Sequence, residues 1–363
     1  MPGCRAIRKN SLKIFILKPS SLGDVVQALP VLRLLKKHFP ASTIYWWIEA
    51  SLSPLLENDP DLAGLVRFDR HRWASPERWS EGLQSLKRLR EEAFDLVIDL
   101  QALARSSVVS WLVHGRLTVG LDDAREGAPA FYDLRVPRLS PLTHAVDWYL
   151  GVLRALAVPV GRDFDWLPAR PDVQTAIRQR WSLDAMPFIA FQPGARWTTK
   201  RWPAEHFATL IRSLAVELPD HRFVLLGSAA DADLARTIAA VAPGRCLSLA
   251  GRTSLPEMVE CLRLSELLVT NDSGPMHVAA ALGRPVVGLF GPTEPRRTGP
   301  YGQVERALQM RLPCVPCLRG HCRHTPPLEC LTALPPDRVR RAVLDRLAGE
   351  PPVNAACQRV LLT

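Results

Sequence analysis

Three short stretches of this chain carry residue types that do chemistry on anions. The first, Lys18-Pro-Ser-Ser-Leu-Gly-Asp24, leads from an apolar β-rich run into a helical pattern. A helix that begins there presents unpaired backbone N–H groups and the positive end of its dipole, which suits an anion. Gly23 lets the backbone approach a ligand closely. Asp24 reads in two ways. It is a first-turn carboxylate that stabilises the helix dipole by about 0.3–1 kcal/mol, or a carboxylate placed to act as a general base. The loop is neither G-x-G-x-x-G nor a Walker A sequence, so dinucleotide and P-loop readings lose support.

The second stretch, Phe191-Gln-Pro-Gly-Ala-Arg-Trp-Thr-Thr-Lys-Arg-Trp-Pro203, occupies the same place in the second half of the chain. Pro203 suits a first helical position. Arg196, Lys200 and Arg201 put three cations within six residues. Singly, each is an ordinary solvated charge; together on one loop they read as a phosphate or diphosphate site. The third, Thr270-Asn-Asp-Ser-Gly-Pro-Met-His277, passes from a strand into a helix rich in small residues that ends at Gly283. Asp272 or Ser273 suits an N-cap, and the Ser273 hydroxyl with the amides after it forms a second anion cradle. His277 in that first turn reads more simply as a buried or capping histidine than as a catalytic one.

The elements that must position these loops follow from hydrophobic periodicity. Strands are expected at 13–18, 43–49, 65–68, 95–100 and 117–121, with helices at 24–38, 77–92, 104–114 and 144–157. Nearly continuous apolar strands alternating with helices imply a parallel sheet covered on both faces. The segment 159–187 interrupts this rhythm with four prolines and a short helical run at 173–181, which suits a hinge. The alternation then restarts, with strands at 188–191, 223–226, 246–249, 267–270 and 286–290. Helices follow at 203–217, 230–241, 255–265 and 275–282, and a last one at 336–348. The expected class is α/β: two doubly wound halves with a cleft at the carboxyl ends of their strands.

Composition narrows the function classes. The 363 residues are 47% hydrophobic and 23% charged, which excludes a disordered tail, a collagen-like fibre and a coiled coil. No stretch approaches the roughly 18 uninterrupted apolar residues of a membrane span. Arg5, Arg8, Lys9 and Lys13 precede an apolar run of only 14–17, too short for a secretory h-region of about 7–15 residues, so a cytoplasmic protein is expected. Forty-six basic against 36 acidic side chains give a net charge of +10, which favours an anionic small molecule or an anionic membrane surface. Nothing in the sequence resembles a nucleic-acid motif. Trp46, Trp47, Trp73 and Trp79 are candidate interfacial aromatics; in a strand, Trp46 and Trp47 also fit a core or a cleft wall. Of eight cysteines, Cys314, Cys317, Cys322 and Cys330 crowd one window with His321 and His324. That is enough ligands for zinc, yet only one C-x-x-C knuckle is present, so a loop of reduced thiols or a local disulfide competes with a metal site.

The motifs S-L-G-D at 21–24, P-G-A…K-R-W-P at 193–203 and N-D-S-G-P-M-H at 271–277, followed by G-L-F-G-P-T at 288–293, resemble glycosyltransferase family 9, the ADP-heptose:lipopolysaccharide heptosyltransferases. The likeness covers most of the chain in order and spacing. It implies a GT-B fold, with an acceptor-binding Rossmann-like domain at 1–165, a linker at 166–186 and a nucleotide-sugar-binding domain at 187–363. It implies inverting, metal-independent transfer of L-glycero-D-manno-heptose from an ADP-sugar to the inner core of lipopolysaccharide, at the inner face of the bacterial inner membrane, with no required cofactor. Carried over by position, Asp24 is the general base, and Lys18, Ser20, Ser21 and Gly23 form the acceptor-side loop. Lys200 holds the donor diphosphate with Arg196 and Thr199 beside it, and Asp272, Ser273, Gly274 and His277 belong to the phosphate and sugar segment. Gly227, Asp231 and Thr253 neighbour the adenine. Two rivals are a GT-B transferase using a UDP-sugar and a non-catalytic nucleotide-sugar binder. A nicotinamide oxidoreductase lacks its glycine fingerprint.

Overall fold

The computed structural model describes residues 11–69, 79–123, 125–161 and 164–349. The chain divides into two compact units, Met1–Pro168 and Ala169–Thr363. Unit 1 runs β1 (Lys13–Leu17), α1 (Leu22–His38), β2 (Thr43–Glu49), β3 (Gly64–Phe68), α2 (Trp79–Glu91) and β4 (Leu96–Asp99). It continues with α3 (Ala104–Val113), β5 (Leu117–Asp122), β6 (Leu134–Pro137) and α4 (Ala145–Ala155). Its six strands are parallel, in the order β3-β2-β1-β4-β5-β6.

Unit 2 begins with α5 (Pro171–Trp181) and β7 (Phe188–Gln192), then α6 (Ala204–Glu217), β8 (Arg222–Leu225), α7 (Ala232–Ala239), β9 (Cys246–Ser248) and α8 (Leu255–Leu264). It continues through β10 (Leu267–Asn271), α9 (Gly274–Ala281), β11 (Val286–Phe290), α10 (Pro295–Thr298) and β12 (Leu308–Gln309), and ends with α11 (Glu329–Thr332) and α12 (Pro336–Leu347). The order β12-β11-β10-β7-β8-β9 repeats that of unit 1 when each unit's strands are counted from its own first. In both, the strand order reverses beside the first strand. The loops after β1 and β4, and after β7 and β10, therefore lie at topological switch points, where α/β sheets bind ligands.

The central strands are buried on both faces because helices cover both sides. Ile14 to Leu17 of β1 are fully buried. Phe15 stacks on Phe94 with ring centroids 4.9 Å apart, and Trp47 packs against Phe68. Trp46 and Trp47 are thus core residues, not interfacial ones; Trp73 lies outside the described residues. Two strands that hydrophobic periodicity misses, β6 and β12, are edge strands of four and two residues. Val136 is the sole buried residue of the two, so they carry no apolar run to detect. The stretch expected as a linker at 166–186 contains α5, which belongs to unit 2: Arg170 N and Gln174 Nε2 donate to the Glu260 carboxylate on α8.

Unit 1 also buries an ion pair. Arg33 on α1, 6% exposed, makes two bonds to Asp59 at 2.6 and 2.5 Å and one to Asp61 at 2.7 Å, and it donates to the Trp166 carbonyl. Burial opposes the charged guanidinium, yet these carboxylates outweigh it and raise its pKa. Arg33→Met leaves the buried Asp59 carboxylate with the Asp61 N–H but without its guanidinium partner. Such a loss costs about 3–5 kcal/mol, and urea unfolding followed by circular dichroism is expected to show it.

Candidate active site

In unit 1 the turn after β1 is built as a capping box. Ser21, the N-cap of α1, donates from its backbone N (3.0 Å) and its Oγ (2.7 Å) to Asp24 Oδ2. One carboxylate oxygen is thereby committed to holding the turn, and Asp24 remains half-buried. Both meanings read from the sequence are compatible with this: a cap fixes the carboxylate's orientation while its second oxygen completes the functional group. Gly23 is buried behind it, and Ser20 is half-buried.

Lys18 sits differently from the acceptor-side role expected of it. Its side chain is buried, with Nζ donating to the Leu100 carbonyl at 2.9 Å and lying 4.9 Å from the centre of the Tyr149 ring. Burial works to lower its pKa, but Tyr149 and the Asp24 and Asp99 carboxylates outweigh it, and the ammonium titrates above the ordinary lysine range. Coulomb attraction is reciprocal, so Lys18 serves Asp24 as a buried counter-charge. The sequence gives no signal for Tyr149, which comes from α4, or for Asp99. Asp99 is fully buried at the end of β4 and accepts from Gln101 N, Ala102 N and the Tyr132 hydroxyl.

In unit 2 the loops after β7 and β10 meet. Lys200, in a single 3-10 turn (Thr198–Lys200), places Nζ 2.7 Å from Asp272 Oδ2 and 4.9 Å from the Trp197 ring centre. Asp272 also accepts from the Thr293 hydroxyl at 2.7 Å. Asn271, to which the sequence reading assigns no role, ties the two loops together. Its Nδ2 donates to the Pro193 carbonyl (2.7 Å) and its Oδ1 accepts from Trp202 N (3.0 Å), with every partner buried. Its only sequence signal is an amide at a strand's end. Ser273 caps α9, and its Oγ lies 3.1 Å from the Thr270 hydroxyl. Gly274 opens that helix, and His277 is 9% exposed in its first turn. Arg196 is exposed, whereas Thr199 is buried and donates to the Arg319 carbonyl.

The residues expected near the adenine fall on the next loops. Asp231 is 7% exposed and forms a second capping box, with Ser228 N and Oγ both donating to its Oδ2. A Cβ on Gly194 would come within 2.4 Å of its carboxylate, and one on Gly227 within 2.9 Å of its Cβ, so both positions need glycine. Asp231 is therefore a buried structural cap in this structure. Thr253 is half-buried, just before α8.

The four clustered cysteines line one cavity, but among the described residues no three His, Cys, Asp or Glu side chains are grouped so as to hold a metal ion. Likewise, no described helix is long and apolar enough to cross a membrane.

Comparison with known proteins decides what this arrangement belongs to. The profile of glycosyltransferase family 9 (heptosyltransferase) matches residues 83–327. The chain belongs to this family. It is 30% identical to lipopolysaccharide heptosyltransferase 1 of Pseudomonas aeruginosa over 90% of this chain and 96% of that protein. It is 31% identical to lipopolysaccharide heptosyltransferase 2 of Salmonella typhimurium, over 82% and 88% of the two chains. Among solved structures, the E. coli ADP-heptose LPS heptosyltransferase II superposes with a TM-score of 0.75 at 26% identity, covering 93% of this chain and 99% of that one. This member of the heptosyltransferase family is thus a glycosyltransferase of lipopolysaccharide synthesis, and its two parallel six-stranded sheets are those of the GT-B fold.

In this glycosyltransferase, Asn271 is what keeps the lysine loop seated. Removing its amide orphans a buried carbonyl and a buried N–H, at about 1–3 kcal/mol each. Asn271→Ala is expected to lower the stability of the chain by about 2–6 kcal/mol in urea unfolding.

Proposed function

We propose that the chain transfers L-glycero-D-manno-heptose from its ADP-sugar to the inner core of lipopolysaccharide, on Kdo or the first heptose, with inversion and without a metal. The observation that carries this reading is Lys200, fixed 2.7 Å from Asp272 at the switch point of unit 2. An ammonium has three N–H donors, so one holds Asp272 while the others serve donor phosphate oxygens. Asp272 then acts on the donor through Lys200, since a carboxylate placed directly on a phosphate would repel it. Arg196 and the amides at the start of α9 supply the remaining positive potential for the departing pyrophosphate.

In the transfer, the acceptor hydroxyl oxygen forms a bond to the anomeric carbon as the bond from that carbon to the β-phosphate oxygen breaks. Asp24 takes the hydroxyl proton, and ADP leaves with the electron pair. A single displacement inverts the anomeric centre. Ser21 keeps the carboxylate oriented, and the buried Lys18 ammonium supplies its counter-charge. The acceptor-side contacts then fall to Ser20, Ser21 and Gly23, with Lys18 behind them.

Two substitutions test the roles. Asp24→Asn keeps an acceptor for Ser21 and so preserves the cap. It is expected to cut transfer by about 10²–10⁴ while ADP binding by calorimetry is unchanged; full turnover in this variant rules the base assignment out. Lys200→Met is expected to raise the donor KM and lower kcat. A larger thermal shift with UDP than with ADP would favour the UDP-sugar reading instead.

The acceptor implies work at the inner leaflet from the cytoplasmic side, by peripheral contact. The net charge of +10 supports this, since anionic headgroups attract basic surfaces. Binding to vesicles containing anionic phospholipid is expected to weaken as salt rises, and salt-insensitive binding would contradict it.

A further inference from the structure

The cysteine loop is left unexplained by heptose transfer, yet it clasps the loop that carries Lys200 and the loop after β11, whose Thr293 holds Asp272. Leu318 N donates to the Pro292 carbonyl at 2.7 Å, next to the Thr293 that holds Asp272. The Thr199 hydroxyl donates to the Arg319 carbonyl at 3.1 Å, next to Lys200. Gly320 lies under the Trp197 ring, where an added Cβ would stand 3.8 Å from it. Three consecutive residues directly after Cys317 thus touch the Lys200 loop and the loop after β11.

Beside this clasp is a cavity of about 160 Å³ lined by Cys314, Cys317, Cys322 and Cys330, with Arg319 and Arg323. Among the described residues, no three His, Cys, Asp or Glu side chains here are grouped so as to hold a metal ion. The thiols are not equivalent. Cys330 is buried, and burial together with the neighbouring thiols pushes its pKa up to about 11, which makes it a poor nucleophile. Cys322 Sγ accepts a hydrogen bond from Leu328 N. Cys314 and Cys317 are half-exposed, form the one C-x-x-C pair, and share a cavity with the Arg319 and Arg323 guanidinium groups.

We propose that this loop is a thiol redox site, in which a peroxide joins Cys314 to Cys317 and the bridge weakens the hold of the Lys200 loop on a nucleoside diphosphate. One thiolate attacks the peroxide oxygen, giving a sulfenic acid and a first water. The second thiolate attacks that sulfur, the S–S bond forms and hydroxide departs as a second water. Two thiols and one hydrogen peroxide thus become one disulfide and two waters. The effect on the nucleotide rests on the donor role given above to Lys200; the bridge itself does not.

The test uses the full chain, reduced and then treated with hydrogen peroxide. Peptide mass mapping is expected to find a Cys314–Cys317 bridge. ADP titration calorimetry is expected to show affinity reduced about tenfold, as for a lost charge-assisted hydrogen bond, and restored by dithiothreitol. Cys317→Ser is expected to bind ADP as the reduced protein does and to lose the response to peroxide. Unmodified thiols, a bridge elsewhere, an unchanged ADP affinity in the bridged protein, or one equivalent of zinc in protein purified without chelator would each overturn the proposal. If the reduced protein does not bind ADP, the donor reading falls, and the mass map still decides the bridge.

Discussion

A lysine ammonium held against a buried carboxylate governs how the second unit is built around its switch point. Lys200 is 20% exposed and its partner Asp272 only 6%, so the pair is neither a free surface charge nor a dry interior one. A carboxylate with so little access to water needs partners, and it has two: the Lys200 ammonium and the Thr293 hydroxyl. The lysine must in turn be brought to it, which requires the loop after β7 to bend across the end of β10. Asn271 enforces that bend by satisfying a carbonyl and an N–H of the loop at once. The result is a cation whose position is paid for before any ligand arrives, which is the condition for strong electrostatic stabilisation of a leaving group.

The two units apply the same local solution to different ends. Ser21 with Asp24 and Ser228 with Asp231 are both Ser-x-x-Asp capping boxes, with matching bond lengths of 3.0 and 2.7 Å. In unit 2 the carboxylate is packed against Gly194 and Gly227 and closed off. In unit 1 it is half-buried, with a buried ammonium on one side. Local bonding is identical in the two; surroundings separate a structural cap from a candidate base. This is why the two meanings of Asp24 are not rivals. The cap orients the group, and a buried ammonium lies close by as its counter-charge.

Much of this was legible in the residues. Apolar runs such as Thr43–Glu49 and Val286–Phe290 located the buried strands, because a strand covered on both faces has little room for polar side chains. The three loops at the switch points stood out because Gly, Ser, Asp and clustered cations gather there behind apolar strands. Edge strands β6 and β12 escaped notice because they bury almost nothing. The resemblance puts Lys18 in the acceptor-side loop, and only the tertiary structure shows its ammonium buried against the Leu100 carbonyl and the Tyr149 ring.

What the sequence determined by itself was the order of elements and the loops that carry charge, since periodicity and residue chemistry are local properties. Partnership was decided only in three dimensions. Asp272 with Lys200, Asn271 with Pro193 and Trp202, and Lys18 with Tyr149 join residues that are far apart along the chain. Parallel strands linked by helical crossovers bring such residues together at the strand ends, and no local pattern in the chain encodes which of them will meet.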